Sequence, residues 1–273
     1  MSIITEIPII ATSSTLAGAQ NVNDLGSSFD IFLDEPIEIP RDAHNCHINV
    51  TESTVWWTTP NISATIGNNQ FYFKYNGFVY QETIPNGLYS VSDLSNALDR
   101  IIQTITTVSG AVTLTSDNAT QKVELTINVA DFQIDFTQSD TCRDILGFNS
   151  QLIPTPDPTT GVYSVLADNI AEFNSIDYYL LHSDLVSKGI RVNDKFTQTI
   201  SKISIDKEPG SQIIAKDFNP LYVDADHLKG TSIGRIKFWL TDQDDNLVDT
   251  NGELFSCTLT IKYTTIKKSP YIL

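Results

Sequence analysis

Four oxygen-bearing side chains near the C-terminus have the spacing of a calcium-binding loop. Asp242, Asp244 and Asn246 alternate along the chain, and Glu253 follows eleven residues after the first of them. An EF-hand loop uses such alternating oxygen ligands and closes the cage with a final Glu. The sixth position, however, is Leu247 instead of the Gly that permits the sharp turn, and strand-like segments flank the loop. The pattern favours an acidic, solvated loop, with these four residues as weak metal candidates.

A second candidate for metal chemistry is the pair His44 and His47, with Cys46 between them. Side chains alternate on a strand, so His44 and Cys46 share one face and His47 points to the other. His182 and His227 are distant in the sequence, and no pattern brings them to this segment. Ordinary strand histidines are therefore favoured over a metal site. With no nucleophile elbow, HExxH, Walker or dinucleotide motif, we predict no catalytic residue and no cofactor.

The composition describes a folded, acidic protein. Of 273 residues, 41% are hydrophobic and 18% are charged, as in globular chains. The net charge of −16 repels the nucleic-acid backbone, so direct binding of DNA or RNA is disfavoured. Three separated cysteines, Cys46, Cys142 and Cys257, indicate reduced, buried thiols and synthesis in a cytosolic setting. The sequence predicts neither a signal peptide nor a membrane span.

The acidic loop lies between two segments with the period of a β-strand. In the segment after the loop, Phe255, Cys257, Leu259, Ile261 and Tyr263 alternate with polar residues. The segment before it places Ile236, Phe238 and Leu240 on one face, and Arg235, Lys237 and Trp239 on the other. A period of two is typical of a strand with one face on a core. We therefore predict a long two-stranded hairpin over Gly234–Tyr263.

The composition and residue pattern divide the chain into an arm, a β domain and an insert. Residues 1–27, rich in small polar residues, predict an extended N-terminal arm. Residues 28–66 and 151–273 hold about eight strand-like segments separated by turn signals, which is the count of one jelly roll. Residues 67–150 include the one convincing helix, Ser90–Ile105, and predict a small inserted domain. The predicted fold is mainly β, a single jelly-roll β-sandwich with an inserted small α+β domain.

Three motifs, in this order, resemble those of a known family. They are IPNGLYSVSDLSNAL at 84–98, ILGF at 145–148 and LTDQDDNLVDTNGELFSCTLTIKY at 240–263. The chain resembles the penton (vertex) single-jelly-roll minor capsid proteins of virophages and polinton-like viruses. In the third motif, Asp245 stands where that family usually has Gly.

The resemblance implies a structural protein of the virion. Five copies would form a homopentamer at the icosahedral vertex, next to trimers of a double-jelly-roll major capsid protein. The insert would face outward, toward a host surface or a fibre, and the protein would be made in the host cytoplasm. The implied fold agrees with the one predicted from the strand pattern.

Two other classes of function stay open at this point. One is a receptor-binding or glycan-binding viral spike built on a β-sandwich. The other is a cupin-like metalloenzyme with a metal at the His44/His47 segment. The three motifs favour the capsid protein over both.

Overall fold

The computed structural model describes residues 2–155, 161–174, 176–192, 194–216 and 221–266. The chain divides into two compact units. The first unit consists of the described residues of Met1–Thr59 and Ile176–Leu273. The second consists of the described residues of Pro60–Ser175. The second unit is thus inserted in the sequence of the first.

The first unit begins with strands β1 (Ser2–Thr12), β2 (Ser28–Glu38) and β3 (His44–Trp56). The second unit contains β4 (Gln70–Tyr75), β5 (Phe78–Thr83), helix α1 (Val91–Thr106), β6 (Val112–Asp117), β7 (Lys122–Ile127), β8 (Phe132–Asp135), helix α2 (Arg143–Leu146), β9 (Leu152–Ile153) and β10 (Tyr163–Leu166). The first unit continues with β11 (Tyr178–Ser183), β12 (Arg191–Val192), β13 (Lys195–Phe196), β14 (Thr199–Ser204), β15 (Gln212–Lys216), β16 (Val223–Asp224), β17 (Ser232–Thr241) and β18 (Ser256–Ile266). Two 3-10 helices, Thr15–Ala17 and Asp226–Leu228, complete the described elements.

The first unit is a single jelly roll. One antiparallel sheet has the order β1-β18-β3-β15, with β16 also paired to β3, and the other has the order β14-β11-β17-β2. These two four-strand orders contain eight strands. When the eight are renumbered 1 to 8 along the chain, the orders become 1-8-3-6 and 5-4-7-2. This arrangement of two interleaved Greek keys is the jelly roll that the strand pattern predicted, and the prediction is confirmed.

Aromatic side chains from both sheets meet in the core of this sandwich. The Phe29 ring lies 5.5 Å from the Phe238 ring of the same sheet. It also lies 5.1 Å from the ring of Phe255, which precedes β18 in the opposite sheet. All three rings are almost fully buried. Burial of one such side chain contributes about 1.5–3 kcal/mol to folding.

The prediction of an extended, unpacked arm over residues 1–27 is wrong for its first half. Strand β1 pairs with β18 at every position from Ser2 to Thr12. Ile9 and Ala11 point into the core and are buried, whereas Ile10 is 77% exposed. The segment is rich in isoleucine, which favours strands, so it completes the sheet instead of extending from it.

The prediction of a two-stranded hairpin over Gly234–Tyr263 is also wrong. Strand β17 pairs with β2 and β11, whereas β18 pairs with β1 and β3 in the other sheet. The alternation identified the buried faces correctly, since Phe238 and Leu259 are buried. The loop between the strands therefore crosses from one sheet to the other.

The second unit combines two small antiparallel sheets with one long helix. The sheets have the orders β5-β4-β8-β9 and β10-β7-β6. Helix α1 begins as predicted at a capping box, in which the Ser90 hydroxyl accepts a hydrogen bond from the Asp93 N–H at 3.1 Å. Leu94, Leu98 and Ile102 place the apolar face of the helix in the core.

This unit is wider than the predicted insert of residues 67–150. Ile62 forms a bridge with Gly87, which brings the preceding loop into the unit. Strands β9 and β10 pair with β8 and β7, so two strands beyond residue 150, which the sequence assigned to the jelly roll, belong to this unit. Residues 156–160 lie outside the described residues.

Candidate functional surface

The acidic loop is organised by its own hydrogen bonds. The Asp242 carboxylate accepts the backbone N–H groups of Asp244 and Asn246, each at 2.9 Å, and the Asn246 amide at 3.2 Å. Asp245 has φ +67°, a left-handed conformation that Gly adopts readily and that Asp tolerates. The backbone at this position therefore takes a conformation open to either Asp or Gly. Glu253 serves a separate turn, where its N–H bonds the Thr250 carbonyl at 3.0 Å.

The loop covers a buried histidine on strand β11. His182 is 1% exposed, and its ring nitrogens lie 2.8 Å from the Thr241 hydroxyl and 3.2 Å from the Thr199 hydroxyl. The Asp245 carboxylate lies 3.8 Å from Nε2. Burial lowers the pKa of His182 to about 4, against the opposing charge of Asp245, so the ring is neutral at pH 7.

An open recess lies on the outward face of the β14-β11-β17-β2 sheet, above the ring of His182. We call it the Trp239 surface, and it is formed by Trp239, Lys237, Arg235, Asp184 and Leu247. The Trp239 ring stacks on His182 at 5.2 Å, with an interplanar angle of 5°. The recess has a volume of about 460 Å³. The indole provides a flat apolar floor.

Charged groups form the rim of the Trp239 surface. The Arg235 guanidinium contacts Asp184 at 3.0 Å and Asp30 at 3.7 Å. The Lys237 ammonium lies 5.8 Å from the centre of the Trp239 ring. An aromatic floor with a polar rim suits contact with another macromolecule, because aromatic and arginine side chains carry much of the binding energy at protein interfaces. The alternation of β17 marked Trp239 as outward-facing, but only the structure shows that His182 supports it.

The three candidate side chains of the His44/His47 segment lie in three different environments. His44 is exposed, and Cys46 is buried. The His47 ring packs edge-on against Tyr222, with ring centres 4.5 Å apart. Burial, together with nearby Asp226, raises the pKa of the Cys46 thiol to about 11, so it is protonated at neutral pH. His182 lies in β11, in the other sheet of the first unit, and His227 lies in the second 3-10 helix.

The three cysteine side chains lie at buried positions. Cys46, Cys142 and Cys257 are buried and unpaired. Burial raises the pKa of Cys142 and of Cys257 to about 12. Among the described residues, no three His, Cys, Asp or Glu side chains are grouped as metal ligands. In the same residues, no helix is long and apolar enough to cross a membrane.

Fold and surface together define the chain as a single-jelly-roll protein with an inserted α+β unit. Its sequence matches no family model and no curated protein. It is similar to the crystal structure of the mavirus penton protein at 12% identity and a TM-score of 0.43, covering 96% of this chain and 100% of that one. It is also similar to a chain of the 3.5 Å cryo-EM structure of the Sputnik virophage at 16% identity and a TM-score of 0.36, covering 95% and 97%.

Proposed function

We propose that this chain is a structural capsid protein, a penton that closes the vertex of an icosahedral virion as a homopentamer. The observation that carries the proposal is the complete jelly roll, with sheet orders 1-8-3-6 and 5-4-7-2 and a second unit inserted between its third and fourth strands. Jelly rolls serve as viral capsid, lectin and cupin domains. The motifs and the absence of a metal-ligand group in the described residues favour the first of these uses.

The first motif acts where the chain enters helix α1. The side-chain Oδ1 of Asn61 accepts the Tyr89 backbone N–H at 2.9 Å, and the Asn61 side-chain Nδ2 donates to the Tyr89 backbone carbonyl at 2.8 Å. Gly87 pairs with Ile62 through backbone hydrogen bonds. The residues that carry the resemblance therefore shape the backbone, which supports a shared architecture.

The second motif acts at a close approach of two backbone segments. Gly147 has φ +81°, and a Cβ on it would lie 2.4 Å from the Asn169 carbonyl oxygen, so no other residue fits there. Its neighbours Ile145, Leu146 and Phe148 are buried in the core of the second unit. The motif therefore ends helix α2 and packs it into that core, which supports a structural role for these residues.

Symmetry and charge support the proposed assembly. A ring of five copies would use one contact repeated around a closed axis. The second unit has 4 basic and 12 acidic residues, a net charge of −8, which agrees with an outward, solvated position. In this proposal the neighbours are other copies and double-jelly-roll trimers of a major capsid protein, the insert meets a host surface or a fibre, and the protein is made in the host cytoplasm.

Labelling of purified virus particles tests this placement. An antibody raised against residues 60–155 should label intact particles at their vertices, because the insert faces outward in the proposal. Absence of the protein from purified particles would contradict the capsid function. A trimeric protein that binds glycans on an array would instead support the spike alternative.

A further inference from the structure

Edge strands of an open sheet present unpaired N–H and C=O groups, which natural proteins usually block or cover. Within the described residues, β1 and β2 contain Pro8 and Pro36, and β14 and β15 contain Lys202 and Lys216. Strands β9, β12, β13 and β16 have two residues each, and β10 has four. The edge of β6 is covered by α1, since the Leu114 N–H donates to the Ser95 hydroxyl at 2.9 Å. Each of these edges is short, blocked or covered.

Strand β5 is an edge strand with neither proline nor lysine, and Glu82 is its single charged residue. It has six residues, no proline and no lysine, and it pairs with β4 in an unbroken register. The hairpin turn is Asn76-Gly77, with φ +49° and +81°, the type that keeps two strands in regular register. The described structure pairs its other edge with no strand.

The hydrogen-bond pattern shows which backbone groups of β5 face outward. The Ile84 N–H bonds the Asn69 carbonyl at 2.7 Å, so in the antiparallel alternation every second residue before it also bonds toward β4. Phe78, Tyr80 and Glu82 are those residues. Val79, Gln81 and Thr83 therefore direct their N–H and C=O groups away from β4, ready to accept another strand.

The side chains of β5 define the partner that such an edge fits. Phe78 is 67% exposed and Val79 is 76% exposed. The Tyr80 ring stacks on Phe73 at 4.9 Å and is only partly covered. Glu82 belongs to none of the ion pairs formed within the described residues. Side chains directly opposite each other across two strands interact, so the partner needs an apolar residue opposite Tyr80 and a basic one opposite Glu82.

We propose that β5 is a docking edge to which an extended segment of another protein adds as an antiparallel strand, apolar opposite Tyr80 and basic opposite Glu82. Main-chain hydrogen bonds to Val79, Gln81 and Thr83 would supply affinity, and the side chains would supply selectivity. A second copy of the chain fits less well. Antiparallel self-pairing of β5 places Glu82 opposite Phe78, Tyr80 or Glu82, and none of these compensates its charge. The inference stands independently of the vertex function.

Amide hydrogen exchange of the full chain tests this docking edge. The probe is a capped peptide, Thr-Lys-Thr-Ile-Thr-Val, whose Lys and Ile lie opposite Glu82 and Tyr80 when it pairs antiparallel. At millimolar peptide, exchange of the Val79, Gln81 and Thr83 amides should slow by about tenfold or more, because each gains a hydrogen bond. A peptide with Glu in place of Lys should bind about fivefold more weakly.

A variant at one outward-facing N–H gives the matched comparison. Val79→Pro removes that donor at an edge where proline is tolerated, so it should abolish peptide binding while Val79→Thr preserves it. The circular dichroism spectrum and melting temperature of both variants verify folding. Unchanged exchange of the three amides at millimolar peptide would overturn the proposal. Protection that rises with protein concentration alone would overturn it as well, since the occupant would then be a second copy.

Discussion

Asp242 illustrates how a ligand-like spacing can serve a purely structural purpose. Alternating oxygen side chains suit a calcium cage, but they also cap the N–H groups of a turn. Asp242 does the second, because its carboxylate accepts two backbone N–H groups within the loop. The sequence contained two signs of this outcome, namely Leu247 at the turn position and strand-like flanks. The partner of the loop, the buried His182, left no such sign, because the two are brought together only by pairing of β11 with β17.

Acid should destabilise the first unit through His182. Its pKa is about 4 when folded, below the ordinary value of 6.5, so the unfolded chain binds the proton more readily. The stability contributed by the neutral ring is complete above pH 6.5, falls as the pH drops toward 4, and is lost below that. The loss amounts to about 3 kcal/mol at most.

Chemical denaturation at pH 7 and pH 4.5 measures this effect. The free energy of unfolding should fall further for the natural protein than for His182→Gln, which lacks the titrating ring. Carboxylates titrate in both proteins, so the difference between them isolates the histidine. Equal pH dependence in the two proteins would show that His182 does not carry the effect.

At the level of secondary structure, the alternation of apolar and polar residues shows which face of a strand is buried. It does not show which strands pair with each other. Both β17 and β18 direct every second residue into one core, so their pattern is the same whether they pair with each other or lie in opposite sheets. The order of the jelly roll comes from long-range pairing that no local pattern encodes. Helix α1 is different, since its capping box and apolar stripe are local, and it could be predicted to within one residue at each end.

Strand β1 should behave as part of the core sheet. Ile9→Asp places an unpaired charge at a buried position and should lower the free energy of unfolding by about 3 kcal/mol or more. Ile10→Asp is the matched control, because Ile10 is 77% exposed and its replacement should change stability by no more than about 0.5 kcal/mol. Thermal or urea unfolding compares the two. Equal, small effects of the two substitutions would instead support the extended, unpacked arm that the sequence predicted.

At the scale of the molecule, the jelly roll and the inserted unit have separate cores. The first core lies between two sheets, and the second is built by α1 and two smaller sheets. The proposed function assigns assembly to the first unit and outward contact to the second.

The mass of the assembly in solution tests the vertex function most directly. Native mass spectrometry of the full chain, over a series of protein concentrations, counts the copies in each species. We predict a species of five copies that becomes dominant as concentration rises, because closed five-fold symmetry uses every contact. A protein that stays monomeric at the highest concentration, or that forms trimers instead, would contradict it.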